Sequence, residues 1–283
     1  MQLDRFRGNA LRHALVAVVA ITCLSIAQPV LAQDQSEAER DFCADRPGKG
    51  TPSCVLDQGR WQVELGLIDG ARQSDETTKT QALAAGDLFV RYGLTGRTEL
   101  QLGLAAYERE RVTDRTTGAR ETAEGSNDLS IGLRHSLRNP DGSGLSVALA
   151  GFITAPTGAR AVRADGFEGG LVLPVSIPLD DDWSLSLSPE LDWVSDADGD
   201  GRHATYAMTA GVGRGFGPWS LGVELWVARD DDPDAAVTQS TLDLTAVWSP
   251  AALPDAQLDF GLNFGLNDDS PDVEFGVGVA RRF

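Results

Sequence analysis

The chain has 283 residues and a formal net charge of −18 at pH 7, from 24 basic and 42 acidic side chains. So acidic a protein is not expected to bind nucleic acid, because it offers no excess of cations to displace counterions from the phosphates. Its apolar content of 42% excludes a disordered chain, and its length fits one large all-β domain after an export signal.

Residues 1–32 have the form of a cleaved signal peptide. A basic start with several arginines leads into an almost wholly apolar stretch, residues 14–26, and then into small residues up to Ala32. The alternative is a membrane-anchoring helix, which the shortness of the apolar stretch disfavours. Cys23 lacks the small residue usually found just before a lipidated cysteine. We therefore predict cleavage after Ala32.

Residues 33–60 contain a cysteine pair, Cys43 and Cys54. An exported protein with one closely spaced pair is expected to form one disulfide. A metal site is disfavoured because no second pair and no nearby histidine accompany the cysteines. We predict a short, disulfide-closed periplasmic segment. It either folds back as a plug onto the domain that follows, where Arg46 and Lys49 meet carboxylates, or protects the chain end.

From residue 61 onward, apolar residues alternate with small or polar residues, which is the period of β-strands. Twelve strands can be counted, an even number, as a closed antiparallel transmembrane barrel requires. Residues 61–283 are therefore predicted to form such a barrel. The alternating stretches are 61–67, 88–94, 100–104, 129–137, 145–153, 171–179, 183–193, 206–212, 219–227, 242–248, 258–266 and 273–279.

The connections between these strands alternate in length. Short links such as residues 95–96 and 216–217 separate longer connections that are charged or Gly-rich. Short periplasmic turns and long outer loops are typical of outer-membrane barrels. The predicted outer loops are residues 69–82, 108–125, 156–165, 195–203 and 229–237.

Aromatic residues favour a membrane barrel over the alternative, a soluble periplasmic sandwich with its apolar face inward. The tryptophan and tyrosine residues named below all belong to the apolar phase of the strands. They fall near strand ends, as in interfacial girdles. We expect Trp193 and Tyr206 at the outer ends. The periplasmic ends are expected to carry Trp61, Tyr92, Trp183, Trp219 and Trp248.

The segment from Asp45 to Pro52, flanked by Cys43 and Cys54, resembles the outer-membrane "transporter" family of MetA-pathway phenol-degradation proteins, as do Gln62 and Glu64 in the first strand. The resemblance covers essentially the whole mature chain. It ends at Phe283, the kind of terminal residue that signals to the barrel-assembly machinery. The resemblance implies a location in the outer membrane and uptake of small solutes, aromatic compounds among them. That substrate class comes from the family label alone.

Charged residues in the polar phase of the strands are the candidate lumen lining. An open lumen with this excess of carboxylates favours cations. The alternative is a closed interior, in which the carboxylates pair with the two arginines. The candidate residues are Glu64, Asp87, Arg91, Glu99, Asp128, Arg134, Glu190, Asp192, Glu224, Asp243, Asp259 and Glu274.

An acidic outer loop resembles the start of a calcium loop, with Asp196, Asp198 and Asp200 at alternate positions around a glycine. The twelfth position, which should be glutamate, is Ala207, so an ordinary acidic loop is the favoured interpretation. The sequence 230–232 allows the same two interpretations. We expect such loops to contact lipopolysaccharide through divalent ions.

Catalysis is not expected. Ser136 points away from the face of His135, so the histidine cannot activate it. His203 lies near acidic residues, as an exposed loop histidine often does. No phosphate loop or cofactor fingerprint is present, and we expect no cofactor. The sequence therefore predicts a passive outer-membrane channel for small solutes, with a closed structural or surface-interaction barrel as the alternative.

Overall fold

Alternating apolar and polar residues form strands from Trp61 almost to the end of the chain. A computed structural model describes residues 39–104, 106–180 and 182–283. The predicted signal peptide, residues 1–32, lies outside the described residues. The strands are β1 (Trp61–Ser74), β2 (Thr78–Ala84), β3 (Asp87–Thr95), β4 (Thr98–Leu104), β5 (Glu108–Asp114), β6 (Arg120–Gly125), β7 (Leu129–Arg138), β8 (Ser146–Ala155), β9 (Glu168–Val172), β10 (Val175–Pro178), β11 (Trp183–Ser195), β12 (Arg202–Phe216), β13 (Trp219–Asp230), β14 (Val237–Trp248), β15 (Ala256–Gly265) and β16 (Val273–Arg282).

These segments build a barrel of 12 strands, because four of the barrel strands are interrupted. β1 pairs with β3 along its first half and with β2 along its second, so β2 and β3 form one strand broken at Gly86, whose φ of 80° favours glycine. Likewise β4 continues into β5, β6 into β7, and β9 into β10. The last break contains Pro174, which has no N–H to donate to a neighbour. Antiparallel pairing of β1 with β16 closes the barrel, as predicted.

Two of the predicted outer loops, residues 69–82 and 108–125, are wrong, because they are largely strand. β1 and β2 form one hairpin there, and β5 and β6 form another. Both faces of this part of the sheet carry polar side chains, so the apolar face that reveals a half-buried strand is missing. Strands also extend into two further predicted loops, which shorten to residues 196–201 and 231–236.

The barrel is apolar outside and polar inside. Leu133, Ile153 and Leu225 are 50%, 60% and 55% exposed, whereas Arg91 and Glu99 are fully buried. This is the arrangement of a barrel in lipid, and it overturns the soluble alternative with an apolar core. None of the described residues forms a helix of the length and hydrophobicity needed to cross a bilayer.

Aromatic side chains mark the periplasmic edge of this apolar belt. The rings of Trp61 and Tyr92 lie 4.4 Å apart, centroid to centroid, and those of Trp219 and Trp248 lie 6.4 Å apart. Both pairs are cross-strand neighbours on the outer face. Amphipathic rings at this height suit the boundary between lipid and water.

The N-terminal segment, residues 39–60, passes inside the barrel and returns to the periplasmic edge. The predicted disulfide between Cys43 and Cys54 closes its loop. The returning chain packs so closely on β3 that a Cβ on Gly93 would lie 2.0 Å from the carbonyl oxygen of Asp57. Only glycine fits at this contact. We call residues 43–54 the plug.

Candidate functional site

The inner face of the barrel, together with the plug, forms the candidate site. Of the predicted lumen residues, Glu190 and Glu224 are half-buried and the others are buried. A buried charge costs much free energy unless it is paired and hydrogen-bonded, so the partners of these groups define the site. The buried members are Glu64, Asp87, Arg91, Glu99, Asp128, Arg134, Asp192, Asp243, Asp259 and Glu274.

Arg91, on β3, is the centre of the first charge network. Its Nε and Nη2 donate to Glu99 at 2.8 and 3.0 Å, in the two-point geometry that suits a guanidinium and a carboxylate. Its Nη1 lies 3.3 Å from Glu64 and donates to the carbonyl oxygen of Cys43 at 2.7 Å. One side chain of the barrel wall therefore holds both the wall and the plug.

Asp45, in the plug, joins the two buried arginines. Its Oδ1 lies 3.0 Å from Nη1 of Arg91, and it also pairs with Arg134 on β7. Arg134 Nη1 in turn lies 3.5 Å from Glu99 and donates to the carbonyl oxygen of Cys54 at 3.3 Å. The disulfide loop is thus bound at both of its cysteines.

Arg46, the next plug residue, binds a second group of carboxylates. Its guanidinium lies 3.2 Å from Asp259, 3.3 Å from Asp69 and 3.4 Å from Asp87. The contact with Asp69 was not predicted from the sequence. A bulge between Gly66 and Ile68 reverses the phase of β1, so a residue assigned to an outer loop points into the barrel.

Lys49 reaches a third group, which lies on β13, β14 and β16. Its Nζ lies 2.6 Å from Glu274 and 3.1 Å from Thr241, and its backbone N–H donates to Glu224 at 2.9 Å. The same ammonium lies 4.3 Å from the ring centre of Trp226. Trp226 belongs to the polar phase of β13, between Glu224 and Ala228. This position in the sequence could have identified Trp226 as a residue that points into the lumen.

A cavity of about 340 Å³ occupies the periplasmic half of the lumen beside the plug. Its wall is made by inward residues of β11 to β14 that are small, which leaves space for water or a solute. Glu224 lies at the cavity and also accepts from the plug, so the two features are adjacent. The main inner-wall residues are Ser184, Ser186, Gly211, Gly213, Gly222, Glu224 and Thr245.

Asp128 has a structural role in this arrangement. Its two carboxylate oxygens accept from the backbone N–H groups of Gly158 and Ala164, each at 2.8 Å. The acid therefore ties down the outer loop 156–165. The side chain of Asp192 packs against Gly170 of β9. A Cβ on Gly170 would lie 2.0 Å from the Oδ1 of Asp192.

At the outer rim, the structure separates the three aspartates that resemble the start of a calcium loop. Asp198 and Asp200 are exposed, and Asp198 accepts from the backbone N–H of Asp200. Asp196 instead meets His203 and Asp232, and these are, within the described part of the chain, the group whose ligand atoms lie close enough to hold a metal ion. Because the loop folds back onto β12, Asp196 lies beside His203, whereas Asp198 and Asp200 face solvent.

His203 is the centre of this rim cluster, at the extracellular end of β12. Its Nδ1 lies 2.8 Å from Asp196 and its Nε2 lies 2.7 Å from Asp230. Burial lowers the pKa of the imidazole, but the hydrogen bond with Asp196 and the nearby carboxylates outweigh burial and raise it. Burial likewise raises the pKa of Asp232, but backbone N–H donors led by Ala197 hold it below its usual range.

We expect His203→Ala to loosen the two loops that this cluster joins, residues 196–201 and 231–236. Removal of the imidazole leaves the carboxylates of Asp196, Asp230 and Asp232 facing one another without the ring that lies between them. Limited proteolysis of the folded protein should cleave these loops faster. His135→Ala is the matched control, because His135 is exposed and its ring lies 2.9 Å from the hydroxyl of Thr98, away from any acidic cluster of the described chain. Equal cleavage of both variants would contradict the cluster's role.

His135 and Ser136 lie on opposite faces of β7, His135 exposed and Ser136 buried. This is the arrangement that the alternation predicted. The histidine cannot reach the hydroxyl as a base in this geometry.

Comparison with solved structures identifies the type of barrel. The chain is similar to the COG4313 outer membrane channel from Pseudomonas putida F1, with 18% identity and a TM-score of 0.68 over 84% of this chain and 99% of that chain. It is also similar to the translocator domain of the autotransporter NalP from Neisseria meningitidis, with 13% identity and a TM-score of 0.50 over 79% and 88% of the two chains. With the apolar outer belt, these likenesses establish the fold of an outer-membrane barrel.

A further similar structure is the CymD monoaromatic hydrocarbon channel, with 11% identity and a TM-score of 0.45 over 80% of this chain and 89% of that chain. No curated protein matches the sequence. A model of one protein family matches residues 44–283, which is most of the chain. The chain therefore belongs to the family described as "Putative MetA-pathway of phenol degradation".

Proposed function

We propose that this protein is an outer-membrane channel for the passive uptake of small solutes. The observation that carries the proposal is the cavity of about 340 Å³ beside the plug. The plug contacts the wall of β11 to β14 at Ser188, Glu224 and Thr241, and the small inward residues on the periplasmic side of Glu224 line the cavity. The route for solutes runs along this wall.

The charges along this route favour cations and neutral solutes over anions. Glu224 and Asp243 are paired on neighbouring strands, and Glu274, in the same cross-strand row, pairs with Lys49. One ammonium group against three carboxylates leaves a net negative charge, and a low-dielectric wall focuses its field into the lumen.

Aromatic and other hydrophobic compounds are the solute class within this proposal. The family description names phenol degradation, and the similar Pseudomonas putida protein is described as a channel. The inward ring of Trp226, next to Lys49, adds an aromatic surface to the lumen wall beside the plug. A planar neutral solute can stack on such a ring while water is displaced.

The alternative is a closed structural or surface-interaction barrel. The observation that favours it is the number of ion pairs that hold the plug, at Asp45, Arg46 and Lys49. In both proposals Phe283 signals to the barrel-assembly machinery. Phe283 also exchanges backbone hydrogen bonds with Trp61, which joins the two ends of the barrel.

Single-channel conductance of the refolded protein in a planar bilayer, under a salt gradient, separates the two functions. We expect a steady, cation-selective current. The opposite result is a properly folded barrel that carries no current and admits no small neutral solutes into liposomes. That result would exclude the channel function and favour the closed barrel.

We further expect Glu224→Gln to reduce cation selectivity, because it removes one charge at the cavity and keeps an oxygen that can accept from the plug backbone. The reversal potential under a salt gradient measures the effect. Glu76→Gln is the matched control, since Glu76 lies exposed in the turn between β1 and β2. A reversal potential that is the same in both variants would place the route elsewhere.

A further inference from the structure

The outer face of the β1–β2 and β5–β6 hairpins concentrates positive charge on a protein with a net charge of −18. Directly paired residues on antiparallel strands point to the same side of a sheet. Phe275, in the lipid-facing phase of β16, pairs with Gly70, which pairs with Leu83 and, one strand further, with Arg109. This row fixes which residues of the hairpins face outward.

The next rows toward the extracellular end are cationic. Val273 pairs with Arg72, and the row continues through Gln81 to Arg111. One row higher, the same face carries Lys79 and Arg120. We call the outward cations of these rows the basic patch, which comprises Arg72, Lys79, Arg109, Arg111 and Arg120.

Charges are segregated between the two faces of these hairpins. The outward face of β2, β5 and β6 holds one acid, Glu124, whereas the opposite face of the same strands holds only acids among its charged residues. The inward acids are Glu108, Glu110, Asp114 and Glu121. Ordinary surface solubility does not require such sorting, so the outward cations point to an anionic partner.

The cations of the patch are available to that partner. Among the residues that the structure describes, no carboxylate lies within 4.0 Å of the guanidinium groups of Arg72 or Arg111. Arg109 has a long contact, 3.8 Å, with Glu124, and that carboxylate already accepts from Tyr107 at 3.0 Å. The Nε of Arg109 is buried without a hydrogen-bond partner.

A groove of about 350 Å³ joins the patch to the apolar belt. Arg72, Arg109 and Arg111 line it together with Leu83 and Phe275, and the ring of Phe275 lies over Gly70, 2.5 Å from where a Cβ would be. The groove therefore has an apolar part on the membrane side and guanidinium groups on the extracellular side. An amphiphile with acyl chains and phosphate groups matches both parts.

We propose that this groove binds the phosphorylated glucosamine headgroup of lipopolysaccharide in the outer leaflet. Arginine is suited to phosphate because its planar fork donates two hydrogen bonds at once. The acyl chains lie along Leu83 and Phe275 while the phosphates meet the guanidinium groups above them. This contact is direct, in contrast to the bridging by divalent ions that the acidic loops suggest, and it does not depend on transport.

Native mass spectrometry of the refolded mature chain, titrated with purified lipid A, tests the proposal. We expect bisphosphorylated lipid A to bind more tightly than monophosphorylated lipid A, and both more tightly than phosphatidylcholine. Arg72→Gln/Arg109→Gln/Arg111→Gln should weaken binding of bisphosphorylated lipid A about tenfold or more, because each lost phosphate contact is a charge-assisted hydrogen bond. Addition of EDTA should leave binding by the unaltered chain unchanged.

The matched control is Arg97→Gln/Arg138→Gln/Arg160→Gln, which removes the same charge from exposed positions outside the patch. It should bind lipid A like the unaltered chain, and heat-modifiable migration on a gel should show that both variants fold. If the triple variant fails to fold, Arg111→Gln alone, in the exposed hairpin, should still weaken binding measurably. Equal binding by patch and control variants, no preference for phosphates, or loss of binding in EDTA would each overturn the proposal.

Discussion

Replacement of Arg91 by methionine should destabilise the barrel by about 3–5 kcal/mol, the usual cost of leaving buried carboxylates without their cation. Arg91 is fully buried and neutralises Glu99, Glu64 and Asp45 at distances of 2.8 to 3.3 Å. It also donates to the carbonyl oxygens of both disulfide cysteines. The variant loses these contacts together.

Urea unfolding of the refolded protein in detergent, followed by tryptophan fluorescence, measures this effect. Arg138→Met is the control, because Arg138 is exposed at the end of β7, and its free energy of unfolding should change by no more than about 0.5 kcal/mol. Arg91→Met/Glu99→Met should recover part of the loss, since it removes a carboxylate along with its partner. Equal stability of the Arg91 and Arg138 variants would contradict the network.

Deletion of residues 33–58 should raise single-channel conductance several-fold. The deletion removes the plug, and with it Arg46 and Lys49, whose side chains pair inside the lumen with Asp259 on β15 and Glu274 on β16. The current should also become more cation-selective, because the plug cations go while the carboxylates of the wall remain.

The control for this deletion keeps the chain length and removes only the ion pairs. Arg46→Gln/Lys49→Gln should give an intermediate conductance with frequent transitions, since the disulfide loop is still held by Arg91 and Arg134. Heat-modifiable migration shows whether each variant folds. Conductance equal to that of the unaltered chain in both variants would mean that the plug does not limit passage.

Much of this architecture could be predicted from the sequence, because alternation with period 2 is a local property. Leu133 and Ile153 identify strands without any knowledge of their neighbours, and the disulfide follows from one cysteine pair in an exported chain. The same local signal failed between residues 108 and 125, where the hairpin has polar side chains on both faces.

The family likewise could be recognised from the sequence around Cys43 and Cys54. The charged phase of the strands identified Arg91 and Glu99 as inward residues for the same reason, since a charge on the opposite phase would face lipid. The sequence by itself thus determined the fold class, the side of each strand that carries charge, and the membrane in which such a barrel is stable.

Only the tertiary structure decided which charges meet. Arg46 contacts Asp259, which is 213 positions away in the chain, and a bulge in β1 turns Asp69 inward beside them. Closure of the barrel also places Phe275 in the same groove as Arg109 and Arg111 of β5, on strands far apart in sequence. Period and composition describe one strand at a time, whereas pairing across the lumen and around the wall depends on register, shear and the path of the plug.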